Sequence, residues 1–199
     1  MTSVAIIDSG GANIASLLYA FDRLGTRAVL TTDAESIRSA PRVVLPGVGA
    51  AKDAMARLQD AGLVDVIRSL TQPVLGICLG MQLLCEASEE DDVDCLGIIP
   101  GTARKLSVAP ECPVPNMGWC ETQATGSHTV LDGVGDGSYF YYLHSYAILP
   151  AKHTLAVARH SREFSAMIGR DNFVGAQFHP ERSSNAGAQL LRNFVDGSA

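Results

Sequence analysis

The 199-residue sequence lacks clustered positive charge, paired cysteine motifs and long apolar runs. Each absence removes a class of function. Fifteen Lys and Arg stand against 21 Asp and Glu, a formal charge of −6, and the basic residues do not cluster. Phosphate backbones are gripped by clustered Lys and Arg, so a nucleic-acid partner is not expected. No apolar run approaches the roughly 20 residues of a membrane span. The opening residues, Met1 to Asp8, read as a strand, without the basic segment and long apolar run of a secretion signal. A cytoplasmic location is the expectation. The five cysteines (Cys78, Cys85, Cys95, Cys112 and Cys120) are odd in number and include no C-x-x-C pair. Neither a disulfide framework nor a zinc site is expected.

What is present is a largely apolar chain, 47% hydrophobic and only 18% charged, which predicts a single compact domain over residues 1–199. Its first ninety residues alternate apolar runs with helical patterns. Val4-Ala5-Ile6-Ile7, Ala28 to Leu30, Val43-Val44-Leu45 and Val74-Leu75-Gly76-Ile77 read as strands. Between and after them, helices are expected over Asn13 to Leu24, Lys52 to Gln59, Val64 to Leu70 and Leu79 to about Ala87. This alternation predicts a doubly wound α/β fold, a mostly parallel sheet with helices on both faces. From Cys95 to Gln123 the chain is rich in Pro and Gly and reads as loops with short strands. Tyr139 to Tyr142, Thr154 to Arg159, Ala166 to Gly169 and Val174 to Phe178 then follow as strands without long helices, an antiparallel insertion. A last helix is expected over Ala186 to Val195.

Gly76-Ile77-Cys78-Leu79-Gly80 joins a buried strand to a helix. This is the G-x-nucleophile-x-G spacing of a nucleophile elbow, with sulfur in place of a hydroxyl. Such a turn holds its central side chain at the carboxyl end of the sheet, where α/β proteins bind ligands. The helix start favours negative charge on sulfur, and the Leu79 N–H becomes available to a developing oxyanion. Downstream, His179-Pro180-Glu181 follows the strand ending near Phe178. His179 could face the same crevice and exchange protons with Cys78, while Glu181 fixes its tautomer. Alone, Cys78 could be a small turn residue and His179-Pro180-Glu181 a surface turn; together they make a coherent triad.

These residues resemble the class I (triad) glutamine amidotransferases. Pro46-Gly47-Val48-Gly49, Met81 before Gln82, Pro115-Asn116-Met117-Gly118-Trp119, His144-Ser145-Tyr146 and the Gly187 to Phe194 stretch are similar to the glutaminase subunits of imidazole glycerol phosphate synthases, in histidine biosynthesis. The landmarks run from Asp8 to Phe194. The resemblance implies glutamine hydrolysis through a thioester on Cys78, without metal or organic cofactor. It assigns backbone donors of the oxyanion hole to Leu79 and the Val48–Gly49 loop, and substrate contacts to Gln82, Ser145 and Tyr146. It also implies a heterodimer with a (β/α)₈-barrel cyclase that receives the ammonia. Met117 and Trp119, in a loop bounded by Pro and Gly, are the candidate partner surface, unless Trp119 is core.

Three departures stand out. Asp8 to Asn13 lacks the aromatic common in relatives, Ala50-Ala51 replaces a frequent Phe, and Cys120 stands where Asn is usual. Related readings are an anthranilate- or aminodeoxychorismate-type glutaminase, against which Met81 and Val48 argue, a γ-glutamyl hydrolase or cysteine peptidase, and a non-catalytic regulatory subunit, against which the intact triad argues.

Overall fold

The computed structural model describes residues 3–10 and 14–197. In chain order it contains β1 (Ser3–Ile7), α1 (Ile14–Arg23), β2 (Arg27–Thr31), α2 (Ala34–Ser39), β3 (Arg42–Gly47), α3 (Ala51–Asp60), α4 (Val64–Arg68), β4 (Val74–Cys78) and α5 (Leu79–Leu83). The second half holds β5 (Ala87–Ser88), β6 (Val93–Asp94), β7 (Thr102–Lys105), β8 (Asn116–Ala124), β9 (Ser138–His144), β10 (Tyr146–Ile148), β11 (Thr154–Arg159), β12 (Glu163–Arg170), β13 (Phe173–Ala176) and α6 (Ser184–Asp196).

Nine strands form one sheet in the order β2-β1-β3-β4-β13-β12-β11-β8-β9. The first five run parallel, and they include β13, which is expected from sequence in the antiparallel insertion but pairs in parallel with β4. Their central members are continuous apolar runs because helices cover both faces: β1, β3 and β4 are buried almost throughout. The expected α/β class stands. The antiparallel strands β12, β11, β8 and β9 extend that same sheet from β13. A second, small sheet has the order β10-β7-β5-β6.

Three local readings need correction. The helix expected from Leu79 to Ala87 stops at Leu83. Carbonyls that a longer helix would use are claimed by the segment 96–99: Leu96 N–H bonds the Leu83 oxygen, Gly97 N–H that of Cys85, and Ile98 and Ile99 N–H that of Leu84. Second, a helix covers Ala34–Ser39, which apolar periodicity does not announce; Asp33 caps it, accepting from Ser36 N at 2.7 Å. Third, the expected loop region ends in the nine-residue strand β8. Its buried positions include the polar Asn116 and Thr122, while Met117 and Trp119 face water. That inverted pattern hides a strand from a periodicity reading. Of the departures noted at the amino end, Gly11 to Asn13 lie outside the described residues, as does the expected start of α1 at Asn13.

Candidate active site

The elbow is built by close approach of backbones. A Cβ on Gly80 would stand 1.8 Å from the Leu45 carbonyl oxygen, and one on Gly76 would stand 2.8 Å from Gly80 backbone atoms. Glycine at both positions lets β4, β3 and the start of α5 converge. Cys78 itself adopts φ 54° and ψ −110°, a strained conformation for a residue with a side chain. Register places Gly47 beside Cys78, so the Pro46–Gly49 loop after β3 leaves the sheet next to the sulfur. Gly49, at φ 88°, needs the freedom glycine has.

His179 follows β13, which pairs in parallel with β4, so His179 and Cys78 emerge from neighbouring strand ends. His179 and Cys78 line the same cleft, close enough for the sulfur to raise the pKa of the ring. Its Nδ1 lies 2.9 Å from Oε1 of Glu181, and both of these side chains are buried. Burial by itself lowers the pKa of His179. Hydrogen bonds and negative charge from Cys78 and Glu181 outweigh that, and the value rises to about 10. The turn Pro180–Arg182 is held by α6: Gly187 packs where a Cβ would meet the Pro180 oxygen at 2.0 Å, and Ser183 Oγ donates to the His179 carbonyl at 2.7 Å.

The far edge of the sheet returns over this end. The sulfur of Cys78 lies 3.6 Å from the Leu143 carbonyl oxygen of β9, and His179 N–H donates to the Tyr141 carbonyl at 2.9 Å. Between these walls lies a cleft of about 460 Å³, lined by Val48, Gly49, Cys78, Leu79, Gln82, Glu90, Pro115, Leu143, His144, Ser145, Tyr146, His179 and Arg182. It gathers every expected catalytic, oxyanion and substrate residue except Glu181, which sits behind His179. Among the described residues no cluster of His, Cys, Asp or Glu suited to a metal is found.

Gln82 lines the cleft together with Cys78. Its amide nitrogen is already engaged, 2.9 Å from the Tyr146 carbonyl and 2.9 Å from Gln177 Oε1. Sequence reasoning missed Glu90, whose carboxylate accepts from the Ala51 N–H at 3.0 Å and borders the cleft. It also missed Arg182, stacked 4.4 Å over the Tyr141 ring. The acidic run Glu89 to Asp92 was the available signal for the first; position after Glu181 was the signal for the second. Met117 and Trp119 lie outside the cleft, 68% and 52% exposed. Trp119 is therefore not core. Its ring meets Tyr141 edge-on at 6.1 Å.

The family model for class-I glutamine amidotransferases matches residues 5–197. The chain belongs to that family. Within it, this glutamine amidotransferase is 50% identical to the imidazole glycerol phosphate synthase subunit HisH of Pasteurella multocida, over 98% of each chain. It is 47% identical to the HisH subunit of Xylella fastidiosa over the full length of both, and so belongs with the HisH subunits. Solved structures show the same fold at low identity. A chain described as a glutamine amidotransferase superposes with a TM-score of 0.72 at 16% identity, covering 97% of both chains. A glutamine amidotransferase from Thermotoga maritima gives 0.64 at 16%, covering 98% of this chain and 81% of that one.

Proposed function

We propose that this amidotransferase is the glutaminase subunit of an imidazole glycerol phosphate synthase, hydrolysing glutamine and passing ammonia to a cyclase subunit. The observation that carries the chemistry is the Cys78–His179–Glu181 arrangement on adjacent strand ends, opening on a cleft. The sulfur, paired with the imidazolium of His179, attacks the carboxamide carbon of glutamine. The oxyanion that forms takes backbone N–H donors from Leu79 and from the Val48–Gly49 loop. His179 gives its proton to the departing ammonia, leaving a thioester and a neutral imidazole. That imidazole then takes a proton from water as it attacks the thioester, and glutamate leaves with the thiol restored.

The amino-acid end of glutamine carries an ammonium and a carboxylate. Glu90 and the Gln82 oxygen are acceptors suited to the ammonium, and Ser145 and Tyr146 line the same cleft. The partner would be a (β/α)₈-barrel cyclase docking on Met117, Trp119 and their neighbours, in a heterodimer. We read residues 1–199 as one amidotransferase domain working in the cytoplasm.

The test is glutamate release from glutamine by the chain alone, with the cyclase, and with cyclase plus its ribonucleotide substrate. A large rise in the complete mixture, abolished by Cys78→Ala, is the expected result. No rise with that cyclase would overturn the pathway assignment. Cleavage of γ-glutamyl peptides in place of glutamine would favour the hydrolase reading.

A further inference from the structure

Gln177 is wholly buried directly behind the nucleophile, and the chemistry above leaves it without a task. It follows β13, where its N–H donates to the Ala166 carbonyl at 2.8 Å. Its side-chain amide lies between two others of the site. Nε2 is 3.8 Å from Cys78 Sγ, and Oε1 is 2.9 Å from Gln82 Nε2.

Which end of each amide points which way follows from a single backbone group. The Tyr146 carbonyl can only accept. Two side chains reach it, Gln82 at 2.9 Å and His144 Nδ1 at 2.8 Å, so both must donate there. Gln82 therefore turns its nitrogen inward, and that same nitrogen can meet only the oxygen of Gln177. Gln177 must then present its nitrogen to the sulfur. On the other branch, His144 holds its proton on Nδ1, leaving Nε2 to accept from Asn116 Nδ2 at 3.0 Å. Burial keeps His144 neutral, its pKa lowered to about 4, so the ring does not lose this polarity near neutral pH. Every member of the chain is buried or backbone, and none can flip without leaving a buried polar group unpaired.

We propose that Gln177 is a positioning residue of the glutaminase reaction, its amide nitrogen locked toward the Cys78 sulfur by the hydrogen-bond chain anchored on the Tyr146 carbonyl. This rests on the reading of Cys78 as nucleophile. A donor held on the buried side of the sulfur keeps it in place without occupying the substrate side. Gln82 acts here through Gln177: it orients the donor. The other charged groups around the sulfur are His179, with Glu181 behind it, and Glu90 and Arg182 across the cleft.

The experiment compares iodoacetamide labelling of Cys78 in the full chain with that in Gln177→Glu and Gln177→Met, located by peptide mass mapping over a range of pH. Glutamate can still accept from Gln82 but offers the sulfur no donor when ionised; methionine keeps the volume and removes both bonds. Both variants are expected to label Cys78 about tenfold more slowly at pH 7, because the sulfur is no longer held in place. Labelling of the partly exposed Cys112 serves as the internal control and stays the same. In the complete synthase, kcat should fall in parallel while KM for glutamine changes little. Unchanged Cys78 labelling in a folded variant overturns the proposal. Loss of folding in both variants also overturns it, since Gln177 would then be a core residue only. Labelling does not require turnover, so failure of the unmodified chain to hydrolyse glutamine would sink the functional reading and still leave this comparison decisive.

Discussion

Nδ1 of His179 lies 2.9 Å from Oε1 of Glu181, with both side chains turned away from water. This contact orients the ring so that Nε2 is the atom available to Cys78. In Glu181→Gln the negative charge is gone and the amide can present a nitrogen to Nδ1, favouring the wrong tautomer. Glutaminase activity of the complete synthase should drop by about a hundredfold or more with the fold intact. A loss smaller than about threefold would show that the carboxylate does not orient the base.

The raised pKa of His179 has a direct readout. The ring should stay protonated through neutral pH in the free chain and titrate near 10, followed by NMR of its ring CH groups. The stability it contributes is complete below the unfolded value of about 6.5 and disappears as pH rises through 10. Cys78→Ala removes one of the two raising partners, so the midpoint should move down. A midpoint unaffected by that change would mean that Glu181 alone holds the proton.

His144 runs the other way. Its folded pKa, lowered to about 4 by burial, lies under the unfolded value. Between about 6.5 and 4 the unfolded chain binds a proton that the folded chain refuses. Stability is therefore lost as pH falls across that window, by up to about 3 kcal/mol from this group. Urea unfolding at pH 7 and pH 4.5 should show the loss, and His144→Gln should shrink the part due to this side chain.

Gly80 admits no side chain, because a Cβ there would sit 1.8 Å from the Leu45 oxygen. Gly80→Ala should destabilise the chain by about 3 kcal/mol, and activity should fall further than the folded fraction does as the elbow shifts. Thermal unfolding alongside glutaminase assays separates the two effects.

Trp119 stands half in water on the outer face of β8, opposite Tyr141. Trp119→Ala should leave the melting temperature nearly unchanged and weaken cyclase binding by about 2 kcal/mol, measured by calorimetry. Unchanged affinity would move the partner surface elsewhere.

Much of this site was legible because its parts follow local rules. The glycines around Cys78 announce an elbow, and an apolar strand running into His179-Pro180-Glu181 announces a strand-end base. The apolar runs of β1, β3 and β4 marked the centre of the parallel half, since buried parallel strands are apolar throughout, whereas β13, also parallel, read as part of the antiparallel insertion. β8 was not legible for the opposite reason: its buried side carries Asn116 and Thr122, and its exposed side carries Met117 and Trp119. The short α5 was hidden because its end is set by bonds from residues 96–99 rather than by a stop signal of its own. Gln177 read as one more strand residue, because its role depends on Gln82, 95 positions earlier. Side-chain polarity set by a distant carbonyl leaves no mark on local pattern.

The last strand of a sheet offers a row of unsatisfied peptide groups to any passing chain. Here β9 is that strand, yet the middle of its free side is occupied. Ser183 Oγ accepts the Tyr141 N–H at 3.0 Å, His179 N–H takes the Tyr141 oxygen, and the Leu143 oxygen faces Cys78. The segment carrying His179 thus also covers the middle of this edge. Substitutions that loosen the 180–183 turn should cost this molecule its resistance to strand-swapped dimers and fibrils as well as its catalysis.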